Sequence, residues 1–93
     1  MSLPFALNDI RKVVFYKRDE LTTDLICCDV EVEGPDDVVT WFNHEESDTW
    51  APWVGVLSEL PGFDTDWYAK VSLPPFAQSA TVAYESAPLN ALP

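Results

Sequence analysis

The sequence predicts a small α+β domain, in which an antiparallel sheet packs against one or two short helices. Apolar and charged residues alternate with a period of two over 24–33, which indicates a strand with one buried face. Apolar residues then recur at the helical spacing i, i+3, i+4 and i+7 over 53–60. The chain has 93 residues, 47% of them hydrophobic, which suffices for one core. We therefore expect a single domain over 1–85 and a disordered C-terminal tail over 86–93.

The first two predicted strands form a hairpin. Residues 11–18 are rich in β-branched and aromatic side chains, with apolar side chains on both faces at the centre, as in an inner strand. Residues 24–33 form the second strand, and residues 19–23 are predicted to join the two as a short loop. The apolar face of the second strand comprises Ile26, Cys28, Val30 and Val32.

This hairpin places a basic strand beside an acidic one. Arg11 or Lys12 should lie near Glu31 or Glu33, and the sequence leaves the register open. Such pairing uses much of the scarce positive charge within the fold. The rest of the surface is then expected to be even more anionic.

A third strand completes the predicted meander. Residues 34–37 are typical of a turn, and residues 38–43 are predicted to form the strand. Its large apolar side chains fall on both faces. Val39 and Trp41 lie on one face, and Val38 and Phe42 lie on the other.

A helix is expected near 50–60. Asp48 and Thr49 are both good N-cap candidates, and the carboxylates before them favour the positive end of a helix dipole. The apolar stripe should place Trp53 and Leu57 in the core. A helix this short needs tertiary packing to persist.

The C-terminal third of the chain leaves one alternative open. Residues 65–72 fit a short helix, and a strand over 67–71 fits nearly as well. Residues 81–85 are predicted to add a last strand, short enough to be an edge of the sheet.

The charge of the chain is strongly negative. Sixteen Asp and Glu face five Lys and Arg, for a formal net charge of −11, and no Lys or Arg lies between Arg18 and Lys70. Such a field repels nucleic acid and anionic membranes and attracts basic proteins. The plainer interpretation is that acidity keeps an aromatic-rich domain soluble.

The two cysteines are adjacent in the sequence. On a strand, the side chains of Cys27 and Cys28 point to opposite faces, and a disulfide between neighbours is strained. We expect two free thiols in a reducing compartment. Residues 1–10 lack the features of a signal peptide, and no run reaches the roughly 20 apolar residues of a membrane helix. The expected location is the cytoplasm.

The densest group of possible metal ligands is His44, Glu45, Glu46 and Asp48. A zinc site needs several His or Cys ligands at converging spacings, and this chain has one His. The acidic run also lacks the spacing of a twelve-residue calcium loop. Helix capping explains the same residues, so we expect neither a metal nor a cofactor.

Catalytic motifs are not evident in the sequence. His44 is the one imidazole available as a base, and no recognised nucleophile motif surrounds a serine or a cysteine. Three isolated glycines do not form a phosphate-binding loop. We expect a protein that is not an enzyme.

Aromatic and acidic residues are interleaved most densely between positions 44 and 68. This pattern is typical of a protein interface with aromatic anchors and an acidic rim, and core packing with solubilising charge is the plainer alternative. Trp50 and Trp67 lie among carboxylates near segment starts, so they are expected to stay partly exposed as anchors. The candidate protein-binding residues are Glu45, Glu46, Asp48, Trp50, Asp64, Asp66, Trp67 and Tyr68.

These observations favour a small acidic, non-enzymatic module that binds a basic protein, as an inhibitor or immunity-type factor. Small size, acidity and many aromatics are shared by many bacterial proteins of that type, which is an analogy of composition alone. The first alternative is an accessory or homo-oligomerisation domain whose aromatics pair with a second copy. The second alternative is a small enzyme without a recognisable motif.

Overall fold

The computed structural model describes residues 3–19, 24–73 and 79–86. Within these ranges, four strands form one antiparallel sheet in the order β3-β2-β1-β4, and two short helices accompany it, so the predicted α+β fold is confirmed. Among these residues, no helix has both the length and the apolar character needed to cross a membrane. The elements are a 3₁₀ turn at Leu7–Asp9, β1 at Ile10–Asp19, β2 at Asp24–Glu33, β3 at Val38–His44, α1 at Trp50–Leu57, α2 at Trp67–Ser72 and β4 at Ser79–Glu85.

The pairing of β1 with β2 confirms the predicted contact between basic and acidic residues. Lys12 lies opposite Glu31 in the register, and the Nε of Arg11 is 2.8 Å from the Oε2 of Glu33. The register shifts between Ile10 and Lys12, which leaves Arg11 without a partner residue in the ladder. The predicted hairpin loop lies largely outside the described residues, because 20–23 are not among them.

One face of the sheet carries the core. Phe15 at the centre of β1 is fully buried, and its ring stacks on that of Trp67 in α2 with centroids 3.7 Å apart. Trp53 and Leu57 of α1 are buried in the same cluster, as predicted from the helical stripe. α2 lies against β1 and β4, and it packs more closely on these two strands than on β2 and β3.

The structure resolves the alternative over 65–72 in favour of a helix. The backbone N–H of Asp66 donates to Oδ1 of Asp64 at 2.9 Å, which organises the turn before α2. At the other end, Nζ of Lys17 donates to the carbonyl of Ser72 at 2.9 Å. A buried cation at a helix C-terminus satisfies a carbonyl that has no partner within the helix.

The start of α1 differs in detail from the prediction. Thr49 occupies the N-cap position, but its side chain makes no capping hydrogen bond. Its Oγ1 instead accepts from Nδ2 of Asn43 at 3.1 Å and lies 3.0 Å from Oγ of Ser47. The hydroxyl therefore connects α1 to β3 and is not available to the first turn of the helix. Asp48 is exposed and does not cap the helix either.

The last strand is longer than predicted. β4 begins at Ser79, and it is an edge of the sheet as expected. Ser86 follows it, and its backbone N–H donates to the carbonyl of Arg11 at 2.8 Å. The rest of the predicted tail, 87–93, lies outside the described residues.

Neither cysteine is in a disulfide among the described residues, and the two side chains point to opposite faces of the sheet, as predicted from their adjacency. Cys28 belongs to the core cluster, whereas Cys27 lies on the other face of the sheet, and both are fully buried. Burial raises the pKa of the Cys28 thiol far above its usual value, with the nearby charge of Asp29 adding to the effect.

Candidate protein-binding surface

The starts of the two helices bring the predicted binding residues into two groups. The first is the turn before α1, and the second is the segment that opens α2. A chain of rings joins the groups, because Trp50 meets Trp67 edge-on with centroids 6.2 Å apart. Trp67 in turn meets Tyr68 edge-on at 5.6 Å. Trp50, Trp67 and Tyr68 are thus one aromatic row.

Trp67 is not the exposed anchor that the sequence predicted. Only 8% of its surface is accessible, and its ring stacks on Phe15. The reason is the geometry of α2, in which Trp67 and Val71 lie one turn apart and both face β1. The acidic neighbours of Trp67 in sequence lie outside this stripe, so they gave no indication of its burial.

Tyr68 carries the exposed ring of this row. It is 56% accessible, and its ring packs edge-on against the buried Trp67. Trp50 is half-buried, which agrees with the expectation of partial exposure. The accessible rings of Trp50 and Tyr68 therefore both pack against the buried side chain of Trp67.

The acidic residues of the turn before α1 have different roles. Oε1 of Glu45 accepts from the backbone N–H of Ile26 at 3.0 Å, and the N–H of Glu45 donates to the Ile26 carbonyl at 2.9 Å. Glu45 thus extends the pairing of β2 with β3 and is held by it. Glu46 and Asp48 are exposed, and neither has a cation within ion-pair distance among the described residues.

The negative charge of the acidic residues before α2 is partly neutralised by Lys70. Nζ of Lys70 lies 2.5 Å from Oδ2 of Asp64, and this hydrogen bond lowers the pKa of the carboxyl below its usual value. The same contact raises the pKa of Lys70. Asp66 is exposed and forms no ion pair within the described segments. The net field at this surface is negative.

The sequence reasoning missed the outer strand β3 as a functional surface. Its large side chains are unusually accessible, with Phe42 at 49% and Val39 at 47%. The signal was present, since apolar residues occupied both faces of the predicted strand. The same pattern is also typical of an inner strand, so the sequence does not show whether these side chains are exposed. The exposed run comprises Val38, Val39, Thr40, Trp41 and Phe42.

The face of the sheet opposite the core holds the side chains that could take part in chemistry, which are His44, Cys27 and Tyr16. His44 lies directly opposite Cys27 in the register, and Nδ1 of His44 is buried without a hydrogen-bond partner in the described part of the chain. The thiol is fully buried, so no substrate reaches it. Burial, reinforced by Asp29, raises the pKa of Tyr16 to about 12, and the phenol donates to Asp29. Within 3–19, 24–73 and 79–86, no three His, Cys, Asp or Glu side chains are placed to hold a metal ion.

Comparison with protein-family models, with curated proteins and with solved structures finds no match to this chain. The function is therefore argued from the surface itself. That surface consists of two accessible rings on a buried tryptophan, three uncompensated carboxylates, and the adjoining strand β3.

Proposed function

We propose that this chain is a non-enzymatic binding module for a basic protein, of the inhibitor or immunity type, that works in the cytoplasm. The observation that carries the proposal is the setting of Tyr68, an exposed ring on a buried tryptophan with uncompensated carboxylates nearby. The two free thiols agree with a reducing compartment.

The arrangement suits recognition of arginine and lysine. The ring of Tyr68 already packs against Trp67, so it loses little conformational freedom on binding. The face of a tyrosine ring attracts a guanidinium or an ammonium group. Glu46, Asp48 and Asp66 are exposed and lie within four positions of Trp50 or Tyr68 in the sequence, so they can receive further cations of the partner. The same field speeds association with a basic protein and disfavours nucleic acid.

The exposed groups of this surface favour binding over catalysis. They are carboxylates and a phenol, whereas both thiols, the most nucleophilic groups of the chain, are buried. A small enzyme would need an accessible nucleophile or a base beside a cleft. His44, which is half-buried opposite a buried thiol, does not offer that arrangement.

The experiment is a calorimetric titration with an arginine-rich peptide as the probe, repeated over a range of salt concentrations. Tyr68→Ala should weaken binding by about tenfold or more, which corresponds to roughly 1.4 kcal/mol. A triple variant, Glu46→Gln with Asp48→Asn and Asp66→Asn, should weaken binding and flatten its salt dependence.

The matched control makes the same change in net charge at other exposed acidic positions. It combines Asp9→Asn, Glu59→Gln and Glu85→Gln, and it should weaken binding much less. Equal weakening by both triples would show that the peptide responds to net charge alone, which contradicts the proposal. Self-association that persists at high salt, with no binding of the peptide, would favour the homo-oligomerisation domain instead.

A further inference from the structure

The outer strand β3 has a free backbone edge. The N–H of Glu45 donates to the carbonyl of Ile26, and the pairing of β2 with β3 continues from there without a register shift. Hydrogen-bonded and non-bonded positions alternate along an antiparallel pair. Val39, Trp41 and Asn43 therefore direct their backbone groups toward β2. The backbone groups of Val38, Thr40, Phe42 and His44 point away from the sheet.

The two ends of this edge are closed by neighbouring side chains. The N–H of Val38 donates to Oδ1 of Asp37 at 2.7 Å, and the N–H of His44 donates to Oδ1 of Asn43 at 2.8 Å. Thr40 and Phe42 lie between these ends. In the described part of the chain, their outward N–H and C=O groups have no hydrogen-bond partner.

The side chains of β3 do not protect the edge. Natural edge strands are usually blunted by lysine, proline or a bulge, which prevents pairing with another chain. Five consecutive residues over 38–42 are exposed, and none of them is charged or a proline. The pairing with β2 contains no bulge.

An apolar groove runs beside the same edge. The ring of Phe5 lies 5.7 Å from that of the exposed Trp41 and 5.7 Å from that of the buried Trp53, so the three rings form one aromatic cluster. The groove has a volume of about 450 Å³. Its lining combines the apolar residues Pro4, Trp41, Phe42 and Trp53 with polar ones that include Asn43 and Ser47. One apolar side chain of an added strand would fit here, because alternate residues of such a strand face this side of the sheet.

We propose that an extended segment of a basic protein adds to the sheet along β3. Its backbone pairs with Thr40 and Phe42, and one of its apolar side chains occupies the groove beside Trp41. Basic residues that flank the segment reach the acidic ends of β3, at 36–37 and 45–48. The choice of a basic partner rests on the function proposed above, whereas the mode of binding rests on the strand edge.

The charges at the ends of β3 decide between a basic partner and a second copy of the chain. In an antiparallel pair formed by the full strand with itself, residues 36–37 lie near residues 45–46 of the other copy. Asp36 and Asp37 would then face Glu45 and Glu46, and the same repulsion would occur at both ends. Two copies also carry a formal charge of −11 each. A strand with basic ends has complementary charge at the same places.

The test uses a synthetic peptide of alternating valine and threonine with lysines at both ends. Binding is measured by calorimetry, and the contact is located by the amide signals of Thr40 and Phe42 in NMR spectra. Thr40→Pro removes one outward N–H without touching the pairing with β2, and it should weaken binding by about tenfold or more. Thr40→Val keeps that N–H and should stay within roughly twofold of the wild type.

A second probe covers the case in which Thr40→Pro does not fold. The same peptide, N-methylated on the residues that would pair with Thr40 and Phe42, keeps its charge and loses its backbone donors. It should bind about tenfold more weakly than the parent peptide. Circular dichroism and thermal melting establish whether each variant is folded.

The outcomes separate the two proposals. Equal binding by both Thr40 variants and by both peptides, or no binding at all, would overturn strand addition. Equal binding of a peptide with glutamates in place of lysines would contradict the basic partner and leave strand addition standing. A wild-type dimer in sedimentation experiments that Thr40→Pro dissociates would assign the edge to a second copy and overturn this proposal.

Discussion

The two outer strands of the sheet differ in what lies beside them. β4 is covered, because the N–H of Asp64 donates to the carbonyl of Ala83 at 2.8 Å, and Oγ of Ser79 donates to the carbonyl of Val71. β3 has no comparable cover along Thr40 and Phe42 in the residues that the structure describes. Exposed large hydrophobic side chains occur on both strands, with four on β3 and Val82 on β4.

The difference comes from the segment that precedes and forms α2. Trp67 stacks on Phe15, and this contact places residues 63–72 along the outside of β4. α1 is connected to β3 mainly through side chains, among them Thr49 and Asn43. The contact of Trp67 with Phe15 thus brings a chain segment beside β4, whereas the contact of Trp41 with Phe5 brings no backbone partner to Thr40 or Phe42 within the described residues.

The largest change in stability is expected from a substitution that removes the contact between Trp67 and Phe15, which holds α2 beside β4. Trp67→Ala should destabilise the domain by about 3–5 kcal/mol, the range for loss of a buried large aromatic. Tyr68→Ala, its exposed neighbour, should change stability by no more than about 0.5 kcal/mol. Urea unfolding followed by circular dichroism measures both variants. Similar losses for the two would show that Trp67 does not hold the segment over β4.

A smaller loss of stability is expected at the C-terminal end of α2, where Lys17 contacts the helix. Lys17 is only 3% accessible, and its Nζ reaches the carbonyl of Ser72 and lies 3.7 Å from Oδ2 of Asp24. Lys17→Met keeps the volume but removes the buried ammonium group from both acceptors, so a loss of about 2–3 kcal/mol is expected. Lys12→Met, at a more accessible position of β1, is the control and should cost much less. Equal melting temperatures for the two variants would contradict this account.

The smallest effect concerns the helix beside β3. Gly55 is exposed within α1, and no atom lies within 4 Å of where a Cβ would be. Gly55→Ala should therefore stabilise the domain by about 0.5–1 kcal/mol. Gly62 has a φ of 75°, so Gly62→Ala should destabilise by about 1 kcal/mol. Chemical denaturation distinguishes the two signs, and a destabilising Gly55→Ala would show that α1 is packed differently.

Much of the fold follows from local patterns, and the misses have physical reasons. The alternation over 24–33 correctly predicts β2 and the face that joins the core, because that face depends only on the period of two; the burial of Cys27 on the other face does not follow from the pattern. The exposure of Trp67 was predicted wrongly, since its burial depends on Phe15, which lies more than fifty positions away in the sequence. Whether 65–72 was helix or strand also depended on that contact.

The candidate surface was predicted in part. The rings of Trp50 and Trp67 are in contact, and Tyr68, not Trp67, is the exposed aromatic residue at the start of α2. The edge of β3 was not predicted, because an apolar strand looks the same in sequence whether it lies inside a sheet or at its border. Only the order of the strands and the direction of each N–H distinguish these cases.

Hydrogen exchange of the β3 amides tests the central claim most directly. If the edge is open, the amides of Thr40 and Phe42 exchange at rates close to those of an unfolded chain. Those of Val39 and Trp41, which point toward β2, should be protected nearly as strongly as the inner strands. Alternating protection along β3 is the predicted result. Equal protection at all four positions would show that β3 is already covered, which contradicts an edge open to a partner.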